Sequence, residues 1–251
     1  VGVGAGAVGA GVDAVWEEPE ITDRVYIDVK IANYTEESVG KNRPATGSGR
    51  IVIGLYGKAA PKSAKLFLDT VLSDGSLVPS FVNAQFSKVS PEGLLGVEKI
   101  SGLNTVQIAG TEQWEYAGNV LEYVPILESS GARHTSKGLL SRKQLTQTPE
   151  FGITLKPSPD LDAFHVVFGR VLQGAEVLDA IAAIPTYSYK TNTAYAGGKK
   201  GKDGGLADGW FEGQKKLYVG AGKAFGDRRA IDRRGQLLRR VTIKGSGRAK
   251  P

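Results

Sequence analysis

The sequence contains no cysteine, which excludes disulfide frameworks, cysteine-based zinc sites and thiol nucleophiles and leaves the redox compartment undetermined. Only two histidines are present, His134 and His165. A multi-histidine metal centre cannot form, and neither a metal nor a cofactor is expected. No apolar run reaches the 18 or more residues that a membrane-spanning helix needs, so no transmembrane segment is expected. Methionine is also absent, position 1 included. We therefore expect a processed N-terminus, with residues 1–20, opening VGVGAGAVGAGVDAV, forming a flexible arm that is the remnant of a targeting segment.

What is present suits one globular unit. A chain of 251 residues with 41% hydrophobic and 23% charged residues can bury a single sizeable core. Its 34 glycines concentrate at residues 1–12 and 197–226, stretches too poor in apolar side chains to belong to that core. Charge divides along the same lines. From Lys190 to the C-terminus there are 16 basic against 5 acidic residues, a net +11, whereas residues 1–189 carry −5. We read residues 21–251 as one domain carrying a basic, glycine-rich insertion at 190–236. Such a stretch suits contact with a protein first, with an anionic membrane surface second and with nucleic acid last. It holds no nucleic-acid-binding motif, so no nucleic acid is assigned as a partner. Trp210 and Phe211, with Lys215, Lys216, Arg228 and Arg229, are the candidate partner-binding residues, because aromatic side chains and cations anchor interfaces.

Along the chain, RVYIDVKIANY (24–34) alternates apolar and polar residues as a half-buried strand does, and GRIVIGLYG (49–57) reads as its antiparallel partner. AAPKSAKLFLDTVL places a proline in the first turn and Ala64, Phe67, Leu68, Val71 and Leu72 at helical spacing, predicting a helix over 61–73. Short strand patterns follow at FVNAQFSKV, GLLGVEKI, NTVQIAG, KGLLSRKQ, FGITLK and FHVVFGRVL. Strands in succession without helices between them predict a closed or sandwiched antiparallel sheet. A second helix is expected over 174–184, and LLRRVTIKGSG returns to a strand pattern. GAGAVG (4–9) fits a dinucleotide fingerprint in letters only, having no strand before it or helix after it. VGAGKAFG (219–226) lacks the spacing of a phosphate loop. His134, within GARHTSKG, has no evident partner and is assigned no role.

This order of elements, and the residues that compose it, resembles the cyclophilins. GRIVIGLYGKAAPKSAKLFLDTV matches the family's second strand and first helix at Gly49, Arg50, Leu55, Pro61 and Phe67. FHVVFGRVLQGAEVLDAI is similar to its most recognisable block, and RRVTIKGSG to its closing strand. The resemblance covers about 150 residues and implies a mainly β fold, an eight-stranded antiparallel barrel capped by two α-helices. It also implies peptidyl-prolyl cis-trans isomerase activity in a groove on the barrel's outer face. Rotating an X–Pro bond means crossing a resonance barrier of about 18–20 kcal/mol. A hydrogen bond to the prolyl nitrogen lowers it while an apolar pocket holds the ring.

In the family that donor is an arginine, and Lys88 stands in its place here. Gly93, Leu94 and Gly96 fall where the family has Phe, Met and Gln. Gly152 falls at the pocket Phe, Asp160 at the Trp, Leu161 at the Leu and His165 at the His. Lys88 and His165 are thus the candidate catalytic residues, and Leu94, Gly152, Asp160 and Leu161 the candidate groove residues. A lysine keeps the charge of arginine without its planar fork. The expectation is a degraded groove with low or absent isomerase activity in a binding or scaffold protein, set against an active foldase of Pro-containing clients and a basic membrane- or RNA-associated module. The segments TDRVYIDV and GRIVIGLYG most resemble plant and algal cyclophilins of the chloroplast thylakoid lumen. That likeness implies a lumenal location, and with it a photosystem or other thylakoid membrane complex as partner, by peripheral association.

Overall fold

Alternation turns the first strands toward a common interior. In β1 (Asp23–Ile31), Val25, Ile27, Val29 and Ile31 are buried while Tyr26, Asp28 and Lys30 occupy the other face. β2 (Ser48–Leu55) runs antiparallel to it with Ile27 opposite Ile51 and Asp28 opposite Arg50. The Arg50 fork donates to both Asp28 carboxylate oxygens at 2.7 and 2.9 Å, with its guanidinium 3.9 Å from the centre of the Tyr26 ring. Because both side chains of the pair are more than a third exposed, solvent screens their attraction and the pair mainly pins the register.

The computed structural model describes residues 18–32, 47–187 and 235–250. Six further strands complete a closed antiparallel barrel: β3 (Gln85–Val89), β4 (Leu94–Lys99), β8 (Leu139–Lys143), β9 (Phe151–Thr154), β10 (His165–Gln173) and β11 (Gln236–Arg248). Their spatial order is β1, β11, β3, β4, β9, β8, β10, β2. Closure leaves no strand edge of the barrel to pair with another chain.

The two expected helices are present as α1 (Pro61–Leu72) and α2 (Ala175–Ala182). α1 buries Ala64, Phe67 and Val71 against the barrel. There Phe67 lies 4.9–5.4 Å, ring centre to ring centre, from Phe81, Phe151 and Phe168. No side chain of its own caps the start of α1. Instead the Glu128 carboxylate, 65 residues on, accepts from the Lys62 and Ser63 backbone N–H groups at 3.1 and 2.8 Å. A negative charge there also suits the helix dipole. α2 follows Gly174, whose φ is +91°. A Cβ at that position would sit 2.4 Å from the Arg50 carbonyl oxygen, so only glycine fits.

One expected barrel strand lies elsewhere. The NTVQI segment forms β5 (Asn104–Ile108) of a separate three-stranded sheet with β6 (Thr111–Tyr116) and β7 (Asn119–Leu121). Both hairpins turn through an Ala-Gly pair, Ala109-Gly110 and Ala117-Gly118, and all four residues have positive φ. That conformation matches the strand twist, at a steric cost for each alanine. The sheet is tied down by Trp114, whose indole N–H donates to Gln147 at 3.0 Å, and by Tyr116, whose hydroxyl donates to the Gly75 carbonyl at 2.7 Å.

Tyr187 and Gly235, the described residues on either side of 188–234, are hydrogen-bonded neighbours. Tyr187 N–H donates to the Gln236 carbonyl and Gly235 N–H to the Tyr187 carbonyl, at 2.8 and 2.9 Å. Gly235 in turn accepts from Val89 N–H at 2.9 Å, which places this junction beside β3. Trp210, Phe211, Lys215, Lys216, Arg228 and Arg229 lie outside the described residues, as do residues 1–17 of the N-terminal arm. Among the described residues, no helix is long and apolar enough to cross a membrane.

Candidate functional site

Register places the site. Lys88 on β3 pairs with Gly96 on β4, Gly96 with Gly152 on β9, and Gly152 with Ser141 on β8. Residues on one rung of a sheet share a face, and the middle two of these have no side chain, so the rung is a trough with Lys88 at one end and Ser141 at the other. The groove over it has a volume of about 260 Å³, and Leu94 and His165 also line it. Four of the six residues proposed from the sequence for catalysis and the groove are therefore brought together: Lys88, Leu94, Gly152 and His165. The other two stand apart from its lining. Leu161 is buried and Asp160 exposed on a 3-10 turn (Pro159–Ala163) that precedes β10.

Leu94 accounts for the missing ring at Gly152. A Cβ on Gly152 would meet the Leu94 Cγ at 2.5 Å and its Cδ atoms at 2.8 and 2.9 Å, so the leucine lies across the floor where a larger side chain would rise. At the β3–β4 turn the same happens to Gly93. Its φ is +90°, and an added Cβ would meet the Lys156 stem at 2.7 Å.

The far end of the trough is held by a side-chain relay that sequence reasoning missed. His134, given no role from the sequence, is 1% exposed. Its Nδ1 lies 2.6 Å and its backbone N 2.9 Å from Asp162 Oδ1, while Nε2 lies 2.8 Å from Ser141 Oγ. A carboxylate can only accept, so Nδ1–H donates to Asp162, and Nε2 pairs with the Ser141 hydroxyl. Ser141 is itself fully buried, so this relay is a brace and presents no accessible nucleophile. The only sequence signal was a histidine in a glycine- and serine-rich loop, and its carboxylate partner is 28 residues away.

His165 stands edge-on to His134, ring centres 6.3 Å apart. Its Nδ1 is buried without a hydrogen-bond partner. Burial foremost, then the neighbouring His134 and Lys143, push its pKa below the usual imidazole value, against a weaker pull from Glu92 and the Leu161 backbone. The ring is therefore neutral at neutral pH. Beyond it a second, more polar depression of about 560 Å³, lined by Glu128, Arg133 and Asp162, shares His165 as a wall.

A further side chain outside the sequence candidates is Arg142, next to Ser141 on β8. It lines the groove yet is only 3% exposed. Its Nη2 donates to the Thr146 and Thr148 carbonyls at 2.8 and 2.9 Å, whereas Nε and Nη1 have no partner. No group of three or more metal-ligating side chains occurs among the described residues. The arrangement can hold an extended peptide without covalent chemistry, offering an ammonium group from one side of a shallow floor and a neutral imidazole from the other.

Comparison with known proteins decides the family. The profile described as "Cyclophilin type peptidyl-prolyl cis-trans isomerase/CLD" matches residues 43–195. This chain is a member of the cyclophilin family. Peptidyl-prolyl cis-trans isomerase D of Saccharomyces cerevisiae is 31% identical over 175 residues, covering 68% of this chain and 68% of the relative. Peptidyl-prolyl cis-trans isomerase B of the same yeast is 31% identical over 169 residues, covering 66% and 72%. Arabidopsis thaliana peptidyl-prolyl cis-trans isomerase CYP28, chloroplastic, is 28% identical over 201 residues, covering 68% of each chain. The eight-stranded barrel with two helices is the cyclophilin fold that the sequence resemblance implied.

Proposed function

We propose that this cyclophilin binds extended, proline-containing segments while turning them over slowly, and that it serves as a binding or assembly subunit on a photosynthetic membrane complex. The observation that carries the first half is the rung Lys88–Gly96–Gly152–Ser141, with Leu94 lying over its floor. Isomerisation calls for a donor held rigidly against the prolyl nitrogen and a deep dry pocket for the ring. Lys88 brings a single flexible ammonium group, and the floor is shallow. Losing one preorganised donor typically costs about 10²–10³ in rate. A protease-coupled assay with a proline peptide should give turnover at least about 100-fold below an ordinary cyclophilin measured alongside. Equal turnover overturns this reading in favour of the alternative, an active prolyl isomerase that folds clients in the chloroplast lumen, for which the presence of Lys88 and His165 on one groove speaks.

The second half rests on the likeness to plant and algal lumenal cyclophilins, on the chloroplastic Arabidopsis relative, and on the basic segment between Tyr187 and Gly235. We assign the protein to the thylakoid lumen and its partner contact to that segment. Affinity purification of the tagged chain from native thylakoid membranes should recover a stoichiometric complex. Recovery of only transient, heterogeneous clients would remove the assembly role.

A further inference from the structure

We propose that Glu128 and Gln144 are positioning residues for the groove, holding its Lys143–His165 wall in place and coupling that wall to the start of α1. This rests on the reading of the groove as a peptide site and names what keeps the site in shape.

The wall stands where regular strand pairing runs out. Lys143 is the last residue of β8 and His165 the first of β10, and the two are partners in register. On its other side β8 pairs with β9 only at Leu140 and Ser141, so past Ser141 it has β10 alone as a strand partner. Segments with few bonds of this kind are the first to open.

Gln144 takes over at that point. Its backbone N–H donates to the Phe164 carbonyl at 2.8 Å, one bond beyond the Lys143–His165 pair. Its side-chain amide closes a ring of two hydrogen bonds with the backbone of Glu128, accepting from the N–H at 3.2 Å and donating to the carbonyl at 2.5 Å. The Glu128 carboxylate meanwhile holds the Lys62 and Ser63 N–H groups of α1. An unbroken run of hydrogen bonds therefore leads from the first turn of the helix, through Glu128 and Gln144, to Phe164, the chain neighbour of His165. Glu128, Gln144 and His165 line the second depression together, and neither Glu128 nor Gln144 lines the groove. Their part is to hold the wall from behind, without touching the peptide.

The next residue supplies an independent observation. Leu145 has a φ of +61°, a left-handed conformation that is costly for leucine, and its side chain is 61% exposed and gains little packing in return. What the conformation accompanies is a second tie between the same two segments, from Leu145 N–H to the Ile126 carbonyl at 2.9 Å. Backbone strain of this kind persists where the surrounding structure over-determines it, and it clusters at functional sites.

The test uses the full chain and a rhodamine-labelled Ala-Ala-Pro-Ala peptide, with affinity read by fluorescence anisotropy and amide hydrogen exchange read at Lys62 and Ser63. Coupling between two sites is reciprocal, so saturating peptide should slow exchange at both amides. Gln144→Leu, similar in size but without the amide, should weaken binding about tenfold and abolish the slowing. Gln144→Asn, which keeps the amide one methylene short, should weaken binding less and guards against a Leu variant that does not fold. Ile31→Val, which trims the core on β1 away from the groove, should change neither affinity nor slowing. Affinity within about twofold of the parent protein in the folded Gln144 variants overturns the positioning role and leaves the groove standing. So does peptide binding that leaves Lys62 and Ser63 exchange untouched, or a weakening of the same size in Ile31→Val. Failure of the parent protein to bind the peptide removes the groove reading itself, and the positioning role with it.

Discussion

Phe151 and Gly152 are adjacent on β9, and they face two different kinds of environment. Phe151 points inward and joins Phe67, Phe81 and Phe86 at ring distances of 4.9–6.0 Å. Gly152 points outward to a floor crossed by a single leucine. On the inner face each ring touches several others, so shape is enforced many times over. On the outer face the shape depends on Leu94 and on one relay of three side chains. A sheet can therefore keep its barrel while its binding face changes residue by residue.

The sharpest way to break the comparison is at its packed side. Phe67→Ala should cost about 3–5 kcal/mol of unfolding free energy by denaturant titration. Lys88→Ala, on the outer face, should change it by no more than about 0.5 kcal/mol. A cost at Lys88 approaching that at Phe67 would mean that the groove, too, is part of the core.

Next comes Gly152→Phe. The new ring meets Leu94 below van der Waals distance, and although a flexible side chain can move, it must leave the floor. Destabilisation of about 1–3 kcal/mol is expected. Combining it with Leu94→Ala should recover part of the loss, read as a coupling in a double-mutant cycle. Simple additivity would show that the two side chains do not compete for one space. Asp162→Ala leaves two donors of the buried His134 without their acceptor, and about 1–3 kcal/mol should be lost. Nitrogen NMR of the imidazole should then show the Nδ1 resonance shifted as its acceptor is lost.

The smallest effect is a pH slope. His165 has a folded-state pKa below its unfolded value of 6.5, so the unfolded chain binds the proton first. Its contribution to stability is complete above about pH 6.5 and falls as pH drops toward the folded value. Unfolding midpoints measured from pH 7.5 down to 5 should decline less steeply in His165→Asn than in the parent protein. An identical decline would place the acid sensitivity elsewhere.

How far the sequence could be read follows the same division. The two helices and most barrel strands were legible because period-2 and period-3.6 patterns are local: the alternation in RVYIDVKI and the spacing of Ala64, Phe67 and Val71 need no knowledge of partners. The β6 and β7 strands escaped notice because their turns use Ala-Gly, in which the alanine takes a positive φ that alanine seldom adopts, in place of the Asn-Gly or Asp-Gly that announces a hairpin. The placement of β5 outside the barrel was equally hidden, since the tie from Trp114 to Gln147 spans 33 residues.

By itself, then, the sequence determined the barrel, its two helices, the family and the identity of the side chains at Lys88, Leu94, Gly152 and His165, since each is carried by a local pattern or a block of matched residues. Only the tertiary structure decided that Gly96 and Gly152 share a rung with Lys88 and Ser141, that Leu94 and Lys156 fill the spaces beside Gly152 and Gly93, and that His134 is a braced core residue. It also decided that Arg142 is buried on β8 with its Nη2 held by the Thr146 and Thr148 carbonyls. The rung depends on strand register between segments about 10–60 residues apart, and a slip of one residue would turn the strand side chains Lys88, Leu94 and Ser141 to the opposite face of the sheet.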